Sequence, residues 1–133
     1  MVLPKTYKGM ELEELTKLKN EDLAKILPSR SRRVIKRGFT PRQLKLIRDI
    51  NSIKDAESQK KPIKTQEREM VILPQMVGKR ISVHNGRDFV EIVPNISMIG
   101  RRLGEYALTR KIPVHTKAGV GASRSSKHAE EKK

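Results

Sequence analysis

The sequence predicts an α+β fold: a small antiparallel or mixed sheet of about three strands with a packed helix, preceded by a helical N-terminal extension and followed by a disordered basic tail. Three observations predict it. Apolar residues recur at helical spacing through the first fifty or so positions and alternate at strand spacing beyond residue 66. The stretch "TPRQ" at Thr40–Gln43 carries a complete helix-start signal, and Asn85-Gly86 separates two alternating runs. The end of the chain is too poor in apolar residues to build a core of its own. We therefore divide the chain into residues 1–65, a helical basic extension; residues 66–112, an α+β core; and residues 113–133, a flexible basic tail.

The elements follow in order. In "ELEELTKL" leucines 12, 15 and 18 fall on one helical face. "NEDLAKIL" has Asn20 as its N-cap, acids in its first turn and a stop before Pro28. "SRSRRVIKRG" reads as a third helix ending with Gly38 in a left-handed C′ position. A helix from about 40 to 57 then begins with Thr40 as N-cap, Pro41 at the first helical position and Gln43 reaching back to close a capping box. Its Leu46, Ile47, Ile50 and Ile53 form one stripe, with Arg42, Lys45 and Arg48 on the other side. Residues 55–67, polar and interrupted by Pro62, read as a linker. "MVILP" is a buried type of strand, and "KRISVHNG" and "RDFVEIVP" pair as a hairpin through a type I′ turn at Asn85-Gly86. Within that hairpin Ile81 and Val83 share one face, and Phe89, Glu91 and Val93 alternate with Val90 and Ile92. "NISMIGRRLGEY" reads as a helix capped by Asn95, with Ile96, Ile99 and Leu103 toward the sheet and Gly104 as its stop.

Charge narrows the function. Thirty Lys and Arg face 15 Asp and Glu, a net charge of +15, so the chain attracts polyanions and repels copies of itself; no homo-oligomer is expected. Both halves are basic, and the stretch from Pro28 to Arg48 contains Arg30, Arg32, Arg33, Lys36, Arg37, Arg42, Lys45 and Arg48 without one acid. Cysteine is absent, which removes disulfides and thiolate metal sites. The start "MVLPKTYKGMELEE" lacks an apolar leader core, and no stretch approaches the ~18 apolar residues of a membrane span, so a cytoplasmic protein without membrane contact is expected.

Two stretches carry a family resemblance. "VILPQMVGKRISVHNGRDFVEI" followed by "MIGRRLGEYALTRK" resembles the ribosomal protein S19 family in its archaeal or eukaryotic branch. The shared features are "LP-MVG" at Leu73 to Gly78, "NG" plus a basic residue at Asn85 to Arg87, and "IG--LGEY" at Ile99 to Tyr106. Arg101 stands where many members have histidine. The resemblance implies a structural constituent of the small ribosomal subunit with no enzymatic role and no cofactor. It implies binding to small-subunit ribosomal RNA in the subunit head, beside ribosomal protein S13, with a C-terminal tail toward the tRNA sites.

The side chains expected to meet RNA are Arg32, Arg33, Lys36, Arg37, Arg42, Lys45 and Arg48 in the extension, and Lys79, Arg80, Arg87, Arg101 and Arg102 in the core. Arg110, Lys111, His115, Lys117, Arg124 and Lys127 join them toward the end of the chain. Arginine forks and lysine ammonium groups suit phosphates and 2′-hydroxyls. Two other classes compete. "SRRVIKRGFTPRQLKLIRDI" has the flavour of a DNA-binding helix-turn-helix, although nothing signals paired half-sites. A basic ribonuclease using His84 and His115 would need the two imidazoles to converge on one phosphate. No metal is expected, since His84, His115 and His128 lack partners at ligand spacing.

Overall fold

A computed structural model of the chain describes residues 6–53, 59, 61–110 and 113. The expected disordered tail, with Lys111, His115, Lys117, Arg124 and Lys127, lies outside the described residues, as does the end of the expected long helix.

The chain opens with a small hairpin, β1 (Thr6–Tyr7) and β2 (Met10–Glu11), closed by Lys8-Gly9. Both turn residues have positive φ, 51° and 85°, the signature of the type I′ turn that matches strand twist. Three short helices follow: α1 (Leu12–Lys17), α2 (Asn20–Ile26) and α3 (Ser29–Arg37). Helices this short are marginal alone, and burial holds them: Leu15, Leu23 and Leu27 are almost wholly inside. Lys19, not Asn20, occupies the N-cap of α2. Gly38 does end α3 with a positive φ of 90°, but its ψ of 163° leads the chain away extended instead of into a left-handed cap.

The fourth helix, α4 (Pro41–Ser52), begins as expected. Gln43 N–H donates to Thr40 Oγ1 at 3.3 Å, and Thr40 N–H donates to Gln43 Oε1 at 3.2 Å. Leu46 and Ile50 enter the core, Ile47 packs at its edge, and Arg42, Lys45 and Arg48 stay exposed. The helix stops at Ser52, short of residue 57, because Ile53 turns extended and Lys79 Nζ takes the Ile50 carbonyl at 2.7 Å.

The sheet has three strands in the order β3 (Ile63–Thr65), β4 (Ile81–His84), β5 (Phe89–Ile92); β3 runs parallel to β4, and β5 antiparallel. It is mixed, and β3 comes from the segment read as a linker. Buried Gln59 extends that pairing, with its side-chain amide accepting from Arg80 N–H and donating to Arg80 O, both at 2.8 Å. Between β4 and β5 the loop is Asn85–Asp88 and not a two-residue turn: only Gly86 has a positive φ, and Asn85 Oδ1 accepts from both Arg87 and Asp88 N–H. The asparagine thus acts through its side chain, as an Asx turn.

Two expected elements are replaced. "MVILP" is buried throughout Met70–Leu73, yet it is not a strand of the sheet. Its backbone pairs with the 100–104 stretch: Ile72 N–H to Arg101 O, Gly100 N–H to Ile72 O and Leu103 N–H to Met70 O. That pairing consumes the groups a helix over "NISMIGRRLGEY" would need, and only 3₁₀ turns remain at Ile96–Met98 and Leu103–Glu105. Asn95 makes no side-chain cap, while Ile99 and Leu103 are buried as their spacing predicts. Gly104 lies inside the second turn with Arg68 Cβ and O only 3.0 Å from where its Cβ would sit.

One core joins everything. Leu15, Leu23, Leu27, Leu46 and Ile50 of the helices cluster with Met70, Ile72, Met76, Ile81, Val83, Ile92, Ile99 and Leu103. Helices α1, α2 and α4 therefore share one core with the sheet, and α3 joins it through the partly buried Ile35.

Candidate nucleic-acid interface

The exposed cations divide by what their charged ends touch. Arg33, Lys36 and Arg37 on α3, and Arg42, Lys45 and Arg48 on α4, are exposed. None of the six has an acidic group within 4.0 Å among the described residues, where the ion pairs are Lys25–Asp22, Arg80–Glu91 and Arg102–Glu69. Consecutive helices joined through Gly38–Thr40 carry this set, so the acid-free stretch of sequence supplies six exposed cations without acidic partners among the described residues.

Other cations named from the sequence have internal duties. Arg32 donates from Nε to Ala24 O at 3.0 Å and from its second amino group to Leu27 O at 3.3 Å, which satisfies the last carbonyls of α2 and places a cation at the negative end of that helix. Lys79 does the same for α4, and burial lowers the pKa of its ammonium. Arg80 donates from Nε to Glu91 Oε1 at 2.5 Å, a bond that raises the arginine pKa and lowers that of the carboxyl. Arg102 lies 3.8 Å from Glu69. Arg101 sits near Tyr106, whose hydroxyl burial pushes up while the arginine charge pulls it down. Arg87 and Arg110 are exposed.

Arg68 escaped the reading of the sequence. Its guanidinium donates to His84 O at 2.5 Å, Gly104 O at 3.0 Å and Ala107 O at 2.6 Å, tying the hairpin to the last turn. Lys8, donating to Ile26 O at 2.5 Å, is a second such tie. No local pattern marks either one, since the acceptors come from distant positions. His84, a candidate base in the ribonuclease reading, accepts from Gly86 N–H through Nδ1 at 3.1 Å and stands edge-on to the Phe89 ring, 5.0 Å between centroids. Both contacts fix it within the hairpin.

A cleft of about 420 Å³ opens between α4 and β3, with Arg42, Lys45, Asp49, Lys64, Glu67 and Phe89 on its walls. Phe89 is 41% exposed, and Lys64 Nζ lies 5.4 Å from its ring centroid. No helix among the described residues is long and apolar enough to cross a membrane.

The surface is thus cationic, the fold is a mixed sheet carrying short helices, and of the motifs Leu73, Met76, Ile99 and Leu103 are buried in the core while Asn85 to Arg87 form the hairpin loop. A family model described as Ribosomal protein S19 matches residues 33–115, a span that begins within α3, takes in α4, the whole sheet and both 3₁₀ turns beyond it. On that match the chain belongs to the ribosomal protein S19 family, structural and not enzymatic proteins of the small ribosomal subunit that bind ribosomal RNA and serve translation within the ribosome.

Proposed function

We propose that the chain is fixed in the head of the small subunit through the exposed faces of α3 and α4, beside ribosomal protein S13, with its C-terminal tail running toward the tRNA sites. The observation that carries the RNA-facing assignment is the set Arg33, Lys36, Arg37, Arg42, Lys45 and Arg48, exposed and without acidic partners among the described residues. Arginine forks on a helix surface meet phosphates bidentately, and the shallow minor groove of RNA offers 2′-hydroxyls alongside them. Arg87, Arg101 and Arg110 add three exposed cations from beyond the helical extension. The neighbour and the course of the tail rest on the family resemblance, supported by the Gly, Ala, Ser, Lys and Arg composition of residues 113–133. Family membership favours RNA over the DNA reading of α3 and α4.

The test of the interface is the double variant Arg33→Gln with Arg37→Gln, competed against wild type for incorporation into subunits. Each lost phosphate contact is worth on the order of 1 kcal/mol at moderate salt, so the pair should fall behind roughly tenfold or more. Equal occupancy would refute the assignment. For the tail, a photoreactive group at Ala122 in translating ribosomes should mark tRNA, head RNA or S13; marking only the distant back of the subunit would refute its course.

A further inference from the structure

The α4–β3 cleft holds more than a surface made for phosphates requires. Its volume, about 420 Å³, falls in the ~300–1,000 Å³ range of small-ligand sites. Arg42, Lys45 and Lys64 supply positive charge. Phe89 supplies an aromatic ring with two fifths of its surface in water, in a chain whose aromatics are only 3% of residues. The ring is steadied from the side by the T-shaped contact to His84, at an interplanar angle of 68°. Asp49 and Glu67 also line the cleft, and neither has a basic group within 4.0 Å among the described residues, although three cations share the same walls. Carboxylates oppose a bare phosphate. They help only when the ligand also brings N–H donors.

Positive charge, an exposed π-face and free acceptors together match a nucleotide whose base bears an exocyclic amine. We propose that this cleft receives one unpaired adenosine, cytidine or guanosine of the ribosomal RNA. Its base stacks on Phe89, its phosphate lies among Arg42, Lys45 and Lys64, and its N–H donors reach Asp49 or Glu67. The proposal rests on the RNA-binding reading of the family and specifies one contact within it. Lys64 now stands over the ring at cation–π distance. A base arriving on that face displaces the ammonium toward the phosphate that the base carries. Uridine presents two carbonyl oxygens and a single N–H, so it meets the carboxylates with repulsion.

The experiment uses the full chain with fluorescently labelled single-stranded oligo-A, oligo-C and oligo-U and a blunt RNA duplex, read by anisotropy. Phe89→Leu should weaken oligo-A and oligo-C binding by about tenfold, the scale of one lost stacking contact, and leave duplex affinity unchanged. Phe89→Tyr, which keeps the ring, should bind as wild type does. Asp49→Asn with Glu67→Gln should abolish the preference for oligo-A and oligo-C over oligo-U. Unchanged single-strand affinity in Phe89→Leu overturns the cleft, and so does an equal loss on single strands and duplex, which would make the ring purely structural. Failure of the wild-type chain to bind small-subunit ribosomal RNA at all would overturn the underlying RNA reading instead.

Discussion

Arg68 sits in a protein whose arginines are expected to face RNA, and it faces inward. Arg68→Lys keeps the charge and the aliphatic stem but removes the fork. In the native fold three carbonyls, those of His84, Gly104 and Ala107, accept from one guanidinium at 2.5–3.0 Å. An ammonium is a point donor with a shorter reach and can keep about one of them. Hydrogen bonds to a charged donor contribute about 1.5–3 kcal/mol each when buried; Arg68 is half-buried, so the low end applies and two lost bonds come to roughly 3 kcal/mol. For a chain of this size each kcal/mol moves the melting temperature by about 3–5 °C, so the variant should melt roughly 10 °C below wild type. Circular dichroism on heating, with urea midpoints as a second measure, reads this directly. Below both transitions the variant should bind ribosomal RNA with wild-type affinity, the reverse of the Arg33 and Arg37 pair. A wild-type melting temperature would refute the claim that Arg68 ties the hairpin to the last turn, and reduced affinity in a fully folded variant would place it among the RNA contacts.

Gly100→Ala puts a methyl group 2.8 Å from Leu27 Cδ2 at a φ of +82°; strain and overpacking together should cost about 2–4 kcal/mol, read as a lower urea midpoint, and a wild-type midpoint would sink the account. Gly86→Val meets open space at its φ of +103°, so backbone strain alone should cost about 1–3 kcal/mol, with full stability showing that the loop tolerates another conformation. Glu91→Gln tests the exposed pair with Arg80. The hydrogen bond from Arg80 holds the Glu91 carboxyl below its ordinary 4.5, so the pair contributes stability above that value and loses it as pH falls through the lower folded value. The variant should melt below wild type at neutral pH, and the gap should close as acid protonates the carboxyl below its ordinary 4.5; a pH-independent difference would refute the coupling.

What the sequence discloses about this fold follows from the range over which each signal acts. Thr40, Pro41 and Gln43 settle their own conformations within one turn, and the start of α4 is where they put it. The alternating runs around Asn85-Gly86 give β4 and β5 with Val90 and Ile92 turned inward. The dipeptide predicts a type I′ turn, but Asn85 has a choice between positive φ and side-chain capping, and Asp88 N–H at 2.8 Å decides for capping. The double positive φ appears instead at Lys8-Gly9, where lysine gives no hint of it. For "NISMIGRRLGEY" the apolar spacing correctly names Ile99 and Leu103 as buried, yet it cannot show that Met70 and Ile72 claim the backbone. Parallel pairing of β3 with β4 leaves no local trace either, since Ile63 answers to Ile81 across a long connection.

The same difference in range governs the cationic surface. Composition is a property of the whole chain, and an excess of lysine and arginine states the class of partner without reference to any fold. Which cations meet that partner depends on where each charged end finds acceptors. The last carbonyls of helices α2 and α4 need donors, and Arg32, Lys8 and Lys79 supply them. Acids could not do this work, because a carboxylate at a helix C-terminus is repelled by the helix dipole. A protein with few aromatics and one modest core therefore gains from placing basic side chains at its own helix ends as well as against RNA. Counting basic residues overstates the phosphate-binding surface for that reason. Among the described residues, the cations on α3 and α4 other than Arg32 make no such bond to the fold, and their charge is left for RNA.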